Sequence, residues 1–278
     1  MIRKRRICLH VALSALICIC VFLLSFLVVK VKKYNDVSKL CKQIKNGTYT
    51  STTIGNGVSY PIWLIGITSR TFEDAPDIPL VVACQYGNEK AIRDLLENGA
   101  DPNWSYKGGF SPIEALYTSP FQGKENRLEM AKLLVDYGAD VTYCCSGVEA
   151  IFEEVSRLWL HFSEQEEITV AENMCFLLDH GASRVDPQSE ISLLHYTARD
   201  NSLFISEILV KDYQFDVNYQ TSTGQTALMF AAEKGNIDIV NMLLSHEADK
   251  MLTDANGKTA YDYAVENGYT ELAELLKP

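Results

Sequence analysis

The run Gly224-Gln225-Thr226-Ala227-Leu228-Met229-Phe230-Ala231-Ala232-Glu233-Lys234-Gly235-Asn236-Ile237-Asp238-Ile239-Val240-Asn241-Met242-Leu243-Leu244, closed by Glu247-Ala248-Asp249, decides how this chain folds. Thr226 stands where a side-chain oxygen caps the free amides of a helix start. Ala231 and Ala232 keep that helix thin, so a neighbour can approach closely. Gly235 suits the left-handed turn that stops it. A second helix follows, with apolar surface supplied by Leu243 and Leu244. One such pair cannot bury its own apolar face and is stable only when stacked on others.

The same two-part pattern returns on both sides. Its opening recurs as Ile78-Pro79-Leu80, Ser111-Pro112-Ile113, Glu149-Ala150-Ile151, Ser192-Leu193-Leu194-His195, Thr226-Ala227-Leu228 and Thr259-Ala260-Tyr261, at intervals of 33, 38, 43, 34 and 33 residues. Its exit recurs in phase as Gly99-Ala100-Asp101, Gly138-Ala139-Asp140, Gly181-Ala182-Ser183, Gln214-Phe215-Asp216 and Glu247-Ala248-Asp249. Ser111, Ser192 and Thr259 take the capping place of Thr226, and Pro79 and Pro112 fall in the first helical turn, where a missing N–H is harmless. Ala83 matches the small residues of the first helix. Leu95-Leu96, Leu133-Leu134 and Leu177-Leu178 match the apolar pair of the second, and Gly87 matches Gly235.

Opening, glycine turn and exit together resemble the ankyrin repeat. The resemblance implies an all-α ankyrin-repeat solenoid of helix-turn-helix repeats with β-hairpin loops. It covers residues 75–278 in about six repeats, at about 75–107, 108–145, 146–188, 189–222, 223–255 and 256–278. The second copy lengthens its inter-helix turn through Tyr117 to Arg127. The third carries extra material between Ile151 and Val170, including Trp159 and Phe162, and sets Glu153 and Glu154 where alanines are usual. Ser163 and Glu166 offer a capping box for its second helix. The sixth, with Tyr261, Tyr263 and Tyr269, reads as a terminal cap.

Ahead of the repeats, Ile7 to Val29 holds 23 residues without a charge, enough at about 1.5 Å per residue to span a bilayer as one transmembrane helix. A cleaved signal peptide is the competing reading. It would end in a small-residue site, whereas this stretch runs straight into Lys30, Lys32 and Lys33. Arg3, Lys4, Arg5 and Arg6 are costly to translocate, so the expected topology is single-pass, with a cytoplasmic N-terminus and the repeats on the opposite side. The cysteines from Cys41 onward argue weakly for the reverse. Residues 30–74 read as a juxtamembrane linker with an irregular N-terminal cap, in which Val37 to Lys45 forms a short amphipathic helix. Two glycosylation sequons occur, Asn46-Gly47-Thr48 and Asn103-Trp104-Ser105.

Charge is divided as sharply as hydropathy. Residues 1–46 carry ten Lys/Arg against Asp36, a net +9, and residues 47–278 carry 15 against 35, a net −20. An acidic body repels phosphate backbones, which speaks against nucleic acid, and favours a protein partner with a basic surface. Solubility alone would equally account for it.

The sequence holds no phosphate-cradling loop, zinc-protease helix, calcium loop or nucleophile elbow, and no cofactor or metal site is expected. His161, His180 and His246 fall in different copies without a consistent carboxylate spacing. His195 takes the repeat's usual histidine position, where the side chain bonds neighbouring backbone. The run Glu164, Glu166, Glu167 could attract a cation or simply favour a helix start. Cys84 and Cys175 lie in apolar helical patterns and read as packing. Cys144 and Cys145 sit in a loop with no assigned role.

The resemblance implies a non-enzymatic protein-binding surface along the concave side, made of hairpin tips and the outer side of each first helix. Mapped residue by residue, the tips are Trp104, Tyr106, Lys107 and Phe110, then Ser222, Thr223 and Gln225. The helix positions are Gln85, Tyr86, Arg199, Glu233 and Lys234. Trp104 and Phe110 could instead pack on an adjacent hairpin. The leading expectation is therefore a membrane-tethered interaction scaffold. The alternatives are a released effector or toxin-neutralising binder and, from another class, an enzyme with its site in the enlarged third copy.

Overall fold

The computed structural model describes residues 39–46, 79–105, 110–118, 126–142, 149–156, 158 and 163–278. Among these, a helix α1 at residues 39–45 precedes six helix pairs. They are α2 (Pro79–Gln85) with α3 (Glu89–Glu97), α4 (Pro112–Thr118) with α5 (Arg127–Asp136), and α6 (Ala150–Ser156) with α7 (Glu164–Asp179). Next come α8 (Leu193–Arg199) with α9 (Leu203–Lys211), α10 (Ala227–Lys234) with α11 (Ile237–Ser245), and α12 (Ala260–Glu266) with α13 (Thr270–Leu276). Each first helix packs on its own second helix and on the first helix of the next pair, so α2, α4, α6, α8, α10 and α12 form one layer. The second helices form the other, with α3 on α5, α5 on α7 and α9 on α11.

The core runs unbroken between the layers, as stacking requires. Small residues (Ala83, Ala115, Ala198, Ala231, Ala232, Ala264) are buried in the first helices. Pairs such as Ile92 and Leu95, Met130 and Leu134, Ile205 and Leu209, and Ile239 and Leu243 are buried in the second. α1 extends this core at its N-terminal end, with Leu40, Cys41 and Ile44 at 4%, 0% and 2% exposure. Burial raises the Cys84 thiol far above the ordinary cysteine range, and Cys175 upward as well, so both are packing groups.

The helix starts for which the sequence names a capping residue are, Ser192 apart, held as predicted. Thr226 Oγ1 accepts from the Met229 amide at 3.3 Å, and Thr259 does the same for Asp262 at 3.4 Å, while the Asp262 carboxylate accepts the Thr259 amide at 2.7 Å. Ser111 and Glu114 repeat the reciprocal arrangement. Before α7, Glu166 accepts from the Ser163 amide at 3.0 Å. Ser192 departs from expectation. Its hydroxyl is bonded to His195 Nδ1 at 2.7 Å and caps no amide. Two insert boundaries also move: Tyr117 lies within α4 and Arg127 within α5, and Val170 is inside α7, which begins at Glu164.

Hairpins join successive pairs. Thr221 N donates to Gln225 O and Asp254 N to Lys258 O, both at 2.9 Å, and Ala255 N links one hairpin to the carbonyl of Thr223 in the preceding one at 2.9 Å. Among the described residues the strand pairing reduces to one isolated antiparallel bridge, Val185 with Ser192. The exit aspartates have local work. Asp101, Asp140, Asp216 and Asp249 each accept the amide two residues on, at 2.9, 2.9, 2.9 and 2.8 Å. Asn103 and Asn218 then tie each such turn to the next repeat. Asn103 donates to Gly138 O (2.8 Å) and accepts from Asp140 N (2.7 Å); Asn218 donates to Glu247 O (3.3 Å) and accepts from Asp249 N (2.7 Å).

No helix among the described residues is long and apolar enough to cross a membrane. The 7–29 segment, the linker other than residues 39–46, Tyr106, Lys107, Cys144, Cys145, Trp159, His161 and Phe162 lie outside the described residues.

Candidate interaction surface

The layer of first helices and the hairpins beside it carry the residues singled out from the sequence, and the structure sorts them into two groups. One lies around α8 and α10: Arg199 at the end of α8, Glu233 and Lys234 at the end of α10, and Ser222, Thr223 and Gln225 in the hairpin between α9 and α10. The other lies at the α2–α4 end, where Gln85 is exposed, Tyr86 and Trp104 are half-buried, and Phe110 is 40% exposed.

Arg199 is the best-held member. Its Nε and Nη2 donate to the two carboxylate oxygens of Asp200 at 2.8 and 2.9 Å, a bidentate pair whose Asp200 side chain is only 2% exposed while Arg199 keeps 31%. The guanidinium carbon stands 5.2 Å from the centroid of the Tyr196 ring. Asn236 on the next repeat donates to the carbonyls of Ala198 and Arg199 at 2.7 and 3.0 Å, fixing the backbone beneath. The Asp200 hydrogen bonds raise the Arg199 pKa, keeping it cationic. Arg199 is thus an ordered cation on a half-exposed aromatic face.

Its neighbours differ in what they can offer. Glu233 and Lys234 pair with each other at 3.1 Å in solvent. Ser222 and Thr223 are exposed at the tip, where the Thr223 hydroxyl engages Thr221 at 2.9 Å and Gln225 Oε1 at 3.2 Å. Gln225 is largely used internally: its Nε2 donates to Tyr263 Oη at 3.0 Å, and its carbonyl meets His195 Nε2 at 3.1 Å. His195 is therefore the backbone-bonded residue expected from its position. It is held between Ser192 and Gln225, edge-on to Phe230 and Tyr219, and burial lowers its pKa to about 4.

Sequence reasoning passed over Tyr196 and Phe230, although the signal was available. Tyr196, Phe230 and Tyr263 each lie two residues past the third position of an opening motif, and all three are half-buried on successive first helices. Phe152 and Tyr196 carry the row across one more repeat, with ring centroids 6.1 Å apart. The acidic run at the start of α7 is engaged within the protein: Glu166 holds the Ser163 amide and Glu167 accepts from the Ser202 hydroxyl. Among the described residues no cluster of three or more His, Cys, Asp or Glu is placed to hold a metal ion.

A family model of three ankyrin repeats matches residues 167–254 and again 194–278, and a single ankyrin-repeat model matches 77–106. The palmitoyltransferase AKR1 of Lachancea kluyveri is 26% identical over 200 residues, which is 70% of this chain and 25% of that protein. The NAD-capped RNA hydrolase NUDT12 of Pongo abelii is 30% identical over 93 residues, 34% of this chain and 20% of the hydrolase. The chain thus spans about a quarter of the length of the first curated relatives it matches. Among solved structures, an ankyrin repeat protein, EF0377, superposes with TM-score 0.58 at 24% identity, over 71% of this chain and 96% of that one. A chain from the complex of a Bdellovibrio bacteriovorus predatory endopeptidase with its immunity protein gives 0.58 at 20%, with the same coverage. At these identities the superpositions establish the fold.

Proposed function

Because the chain belongs to the ankyrin-repeat family, we propose that it is a non-enzymatic scaffold that binds a protein partner and is tethered to a membrane by residues 7–29. The observation that carries the binding half is Arg199, held by Asp200, Tyr196 and the Asn236-supported backbone on a half-exposed aromatic row. Ordered arginines and aromatics bind with little entropy left to lose, and they dominate interface energetics. The named activities of the relatives are not carried over. A palmitoyltransferase and an RNA hydrolase both match in part, so what they share with this chain is not an activity.

The tethering half rests on the sequence: 23 consecutive uncharged residues, flanked by basic clusters on both sides. The proposed topology keeps the N-terminus cytoplasmic and the solenoid opposite. Tags on each terminus and protease treatment of sealed vesicles that keep the cytoplasmic face inside test it: a protected N-terminal tag with a digested C-terminal tag is expected, and the reverse pattern, or digestion of both or neither, overturns it. A basic partner surface remains the proposed complement to the acidic body. Four exit aspartates are already committed to turns, so the complement is sought at Glu233 and neighbouring groups. A released, toxin-neutralising binder is the second reading. The likeness to a chain of the endopeptidase–immunity complex speaks to its fold alone.

The test is affinity capture from detergent-solubilised membranes with the full chain as bait. Arg199→Ala made in an Asp200→Asn background, so that no buried carboxylate is left stranded, is expected to weaken capture by about thirty-fold relative to Asp200→Asn alone, equivalent to about 2 kcal/mol, with the melting temperatures of the two variants alike. Trp104→Ala with Tyr106→Ala should act in the same direction if the tips contribute. Unaltered capture by both variants sinks the surface, and parallel loss of capture and melting temperature assigns these residues to packing.

A further inference from the structure

We infer that Phe230 and Glu233 form a seat for one basic side chain, arginine or lysine, of the protein partner. The inference rests on the protein-binding reading above and names the chemistry at one point of that surface. Its basis is a comparison of successive repeats. Counting from the capping threonines Thr226 and Thr259, Gln225 corresponds to Lys258, Phe230 to Tyr263 and Glu233 to Glu266, each 33 residues on. In the last repeat these positions close on themselves: Lys258 Nζ lies 5.7 Å from the Tyr263 ring centroid and donates to Glu266 at 2.7 Å. The ring offers its face, and a carboxylate one helical turn on offers the opposite charge.

The preceding repeat has the ring and the carboxylate without that cation. Gln225 stands where the lysine would be, and its amide reaches forward to Tyr263 Oη at 3.0 Å. Among the described residues, cations lie over the rings of Tyr117, Tyr196, Phe215 and Tyr263, and none over Phe230. Phe230 packs against the buried His195 and stays half-exposed. Glu233 is held by Lys234 at 3.1 Å, but their side chains are 37% and 47% exposed, so water and salt weaken the pair and an incoming cation can replace it. Arg199 does not take the seat, because its Nε and Nη2 are committed to Asp200, whose carboxylate also offsets the charge that would repel a second cation. Other carboxylates of the acidic body attract cations too. What singles out Glu233 is the aromatic face one turn before it.

The probe is a displayed library of random peptides, selected on the full chain in zwitterionic detergent, with the best binder synthesised for fluorescence anisotropy. That peptide is expected to need one arginine or lysine. Replacing it by citrulline or norleucine should weaken binding about ten-fold on the wild-type chain and no more than about two-fold on Glu233→Gln, the coupling expected of a cation that is paired and lies on a ring. On Phe230→Leu the penalty should fall to about three-fold, because only the ring is lost. Gln225→Lys fills the seat from within, as Lys258 does one repeat on, and should weaken the basic peptide about ten-fold while the citrulline or norleucine form binds both chains alike. Glu233→Gln and Gln225→Lys alter partly exposed side chains and decide the matter if Phe230→Leu fails to fold. Peptides that bind without a basic residue, or a basic residue whose replacement costs the same on wild type and Glu233→Gln, overturn the seat. The wider surface is judged separately. A peptide indifferent to the seat but weakened by Arg199→Ala in the Asp200→Asn background refutes the seat and leaves that surface standing; selection of no peptide, or of peptides indifferent to every variant, overturns both.

Discussion

The repeats built on α8–α13 and those built on α4–α7 meet the same packing requirement with different chemistry. In the first region the helices bury no charge: Ala198, Ala231, Ala232 and Ala264 let neighbours approach, the polar groups buried within the helices are neutral, such as Ser206 bonded to Thr197 at 2.8 Å, and the buried carboxylates Asp200 and Asp254 lie outside the helices. In the second region the openings lie 38 and 43 residues from the next, and the helices bury Glu114, Arg127, Glu154 and Asn173. Arg127 on α5 pairs with Glu154 on α6 at 3.0 Å, its guanidinium lies 5.7 Å from the Tyr117 ring centroid on α4, and Tyr117 Oη donates to Asn173 on α7 at 3.0 Å. One polar chain therefore crosses four helices. Small residues and hairpin bonds register the copies throughout, and the enlarged copies add a buried polar network across their helices.

The sharpest way to break that contrast is to strand one of the buried charges. Glu154→Ala strands the Arg127 guanidinium, whose side chain is only 6% exposed, so a loss of about 3–5 kcal/mol is expected. Because repeats unfold locally, hydrogen exchange should rise through α4–α7 while α9 and α11 keep their protection. Replacing both partners, with Arg127→Met and Glu154→Leu, should return to within about 1–2 kcal/mol of wild type. A single substitution that costs under about 1 kcal/mol would show that the network is incidental.

The regular region has its own ionisable weak point. His195 has a folded pKa lowered to about 4 from the ordinary 6.5 by burial. Between those values the unfolded chain binds more protons than the folded one, so stability rises with pH across this window. It is complete above about 6.5 and lost as pH falls toward 4, by on the order of 3 kcal/mol. Urea midpoints between pH 4 and 7 should show this slope for α8–α11. His195→Gln should flatten it, and an unchanged slope in that variant would remove His195 as its source.

Glycine tests the hairpin register at a smaller scale. Gly224 sits at φ +78°, and an added Cβ would lie 3.0 Å from the Asp254 Cα and 3.1 Å from Ala255 N, the group that bonds Thr223. Gly257 has nearly the same φ, +77°, and open space around it. Gly224→Ala should cost about 2 kcal/mol and Gly257→Ala about 1, because only the first adds a clash to the backbone strain. Equal falls in melting temperature would mean that the hairpins yield freely.

These contrasts also explain what the sequence could and could not reveal. The opening motif, alanine pair and inter-helix glycine are local signals, so Thr226, Ala231 and Gly235 disclose the repeat directly. The positions of Arg199 and of the tip residues follow by register. Ser192 misleads because an opening serine has two available partners, an amide and the histidine three residues on, and only the three-dimensional placement of Gln225 O orients that histidine. Arg127 and Glu154 lie 27 residues apart in different copies, and no local pattern announces such a pair. Gln225 looks like a tip residue until Tyr263, from the next repeat, takes its amide.

The smallest effect predicted concerns the left-handed turns that lack glycine. After α3, α5 and α7 the exit position is Gly99, Gly138 or Gly181 at φ +83° to +93°, but after α9 and α11 the same slot is taken by Gln214 at +53° and Glu247 at +65°. A Cβ in this region is disfavoured by about 1–2 kcal/mol, whereas glycine adds entropy to the unfolded chain worth about 0.5–1 kcal/mol, so the terms nearly offset and relief of strain should win narrowly. Gln214→Gly and Glu247→Gly should each stabilise by about 0.5 kcal/mol, raising the melting temperature of the α8–α13 region while leaving α4–α7 unchanged. Asn201, at φ +58° between α8 and α9, is the internal control. Asparagine tolerates this conformation, so Asn201→Gly should leave stability unchanged or slightly lower. If all three glycines destabilise alike, unfolded-chain entropy outweighs strain at these turns, and the missing exit glycines carry no penalty for the regular repeats.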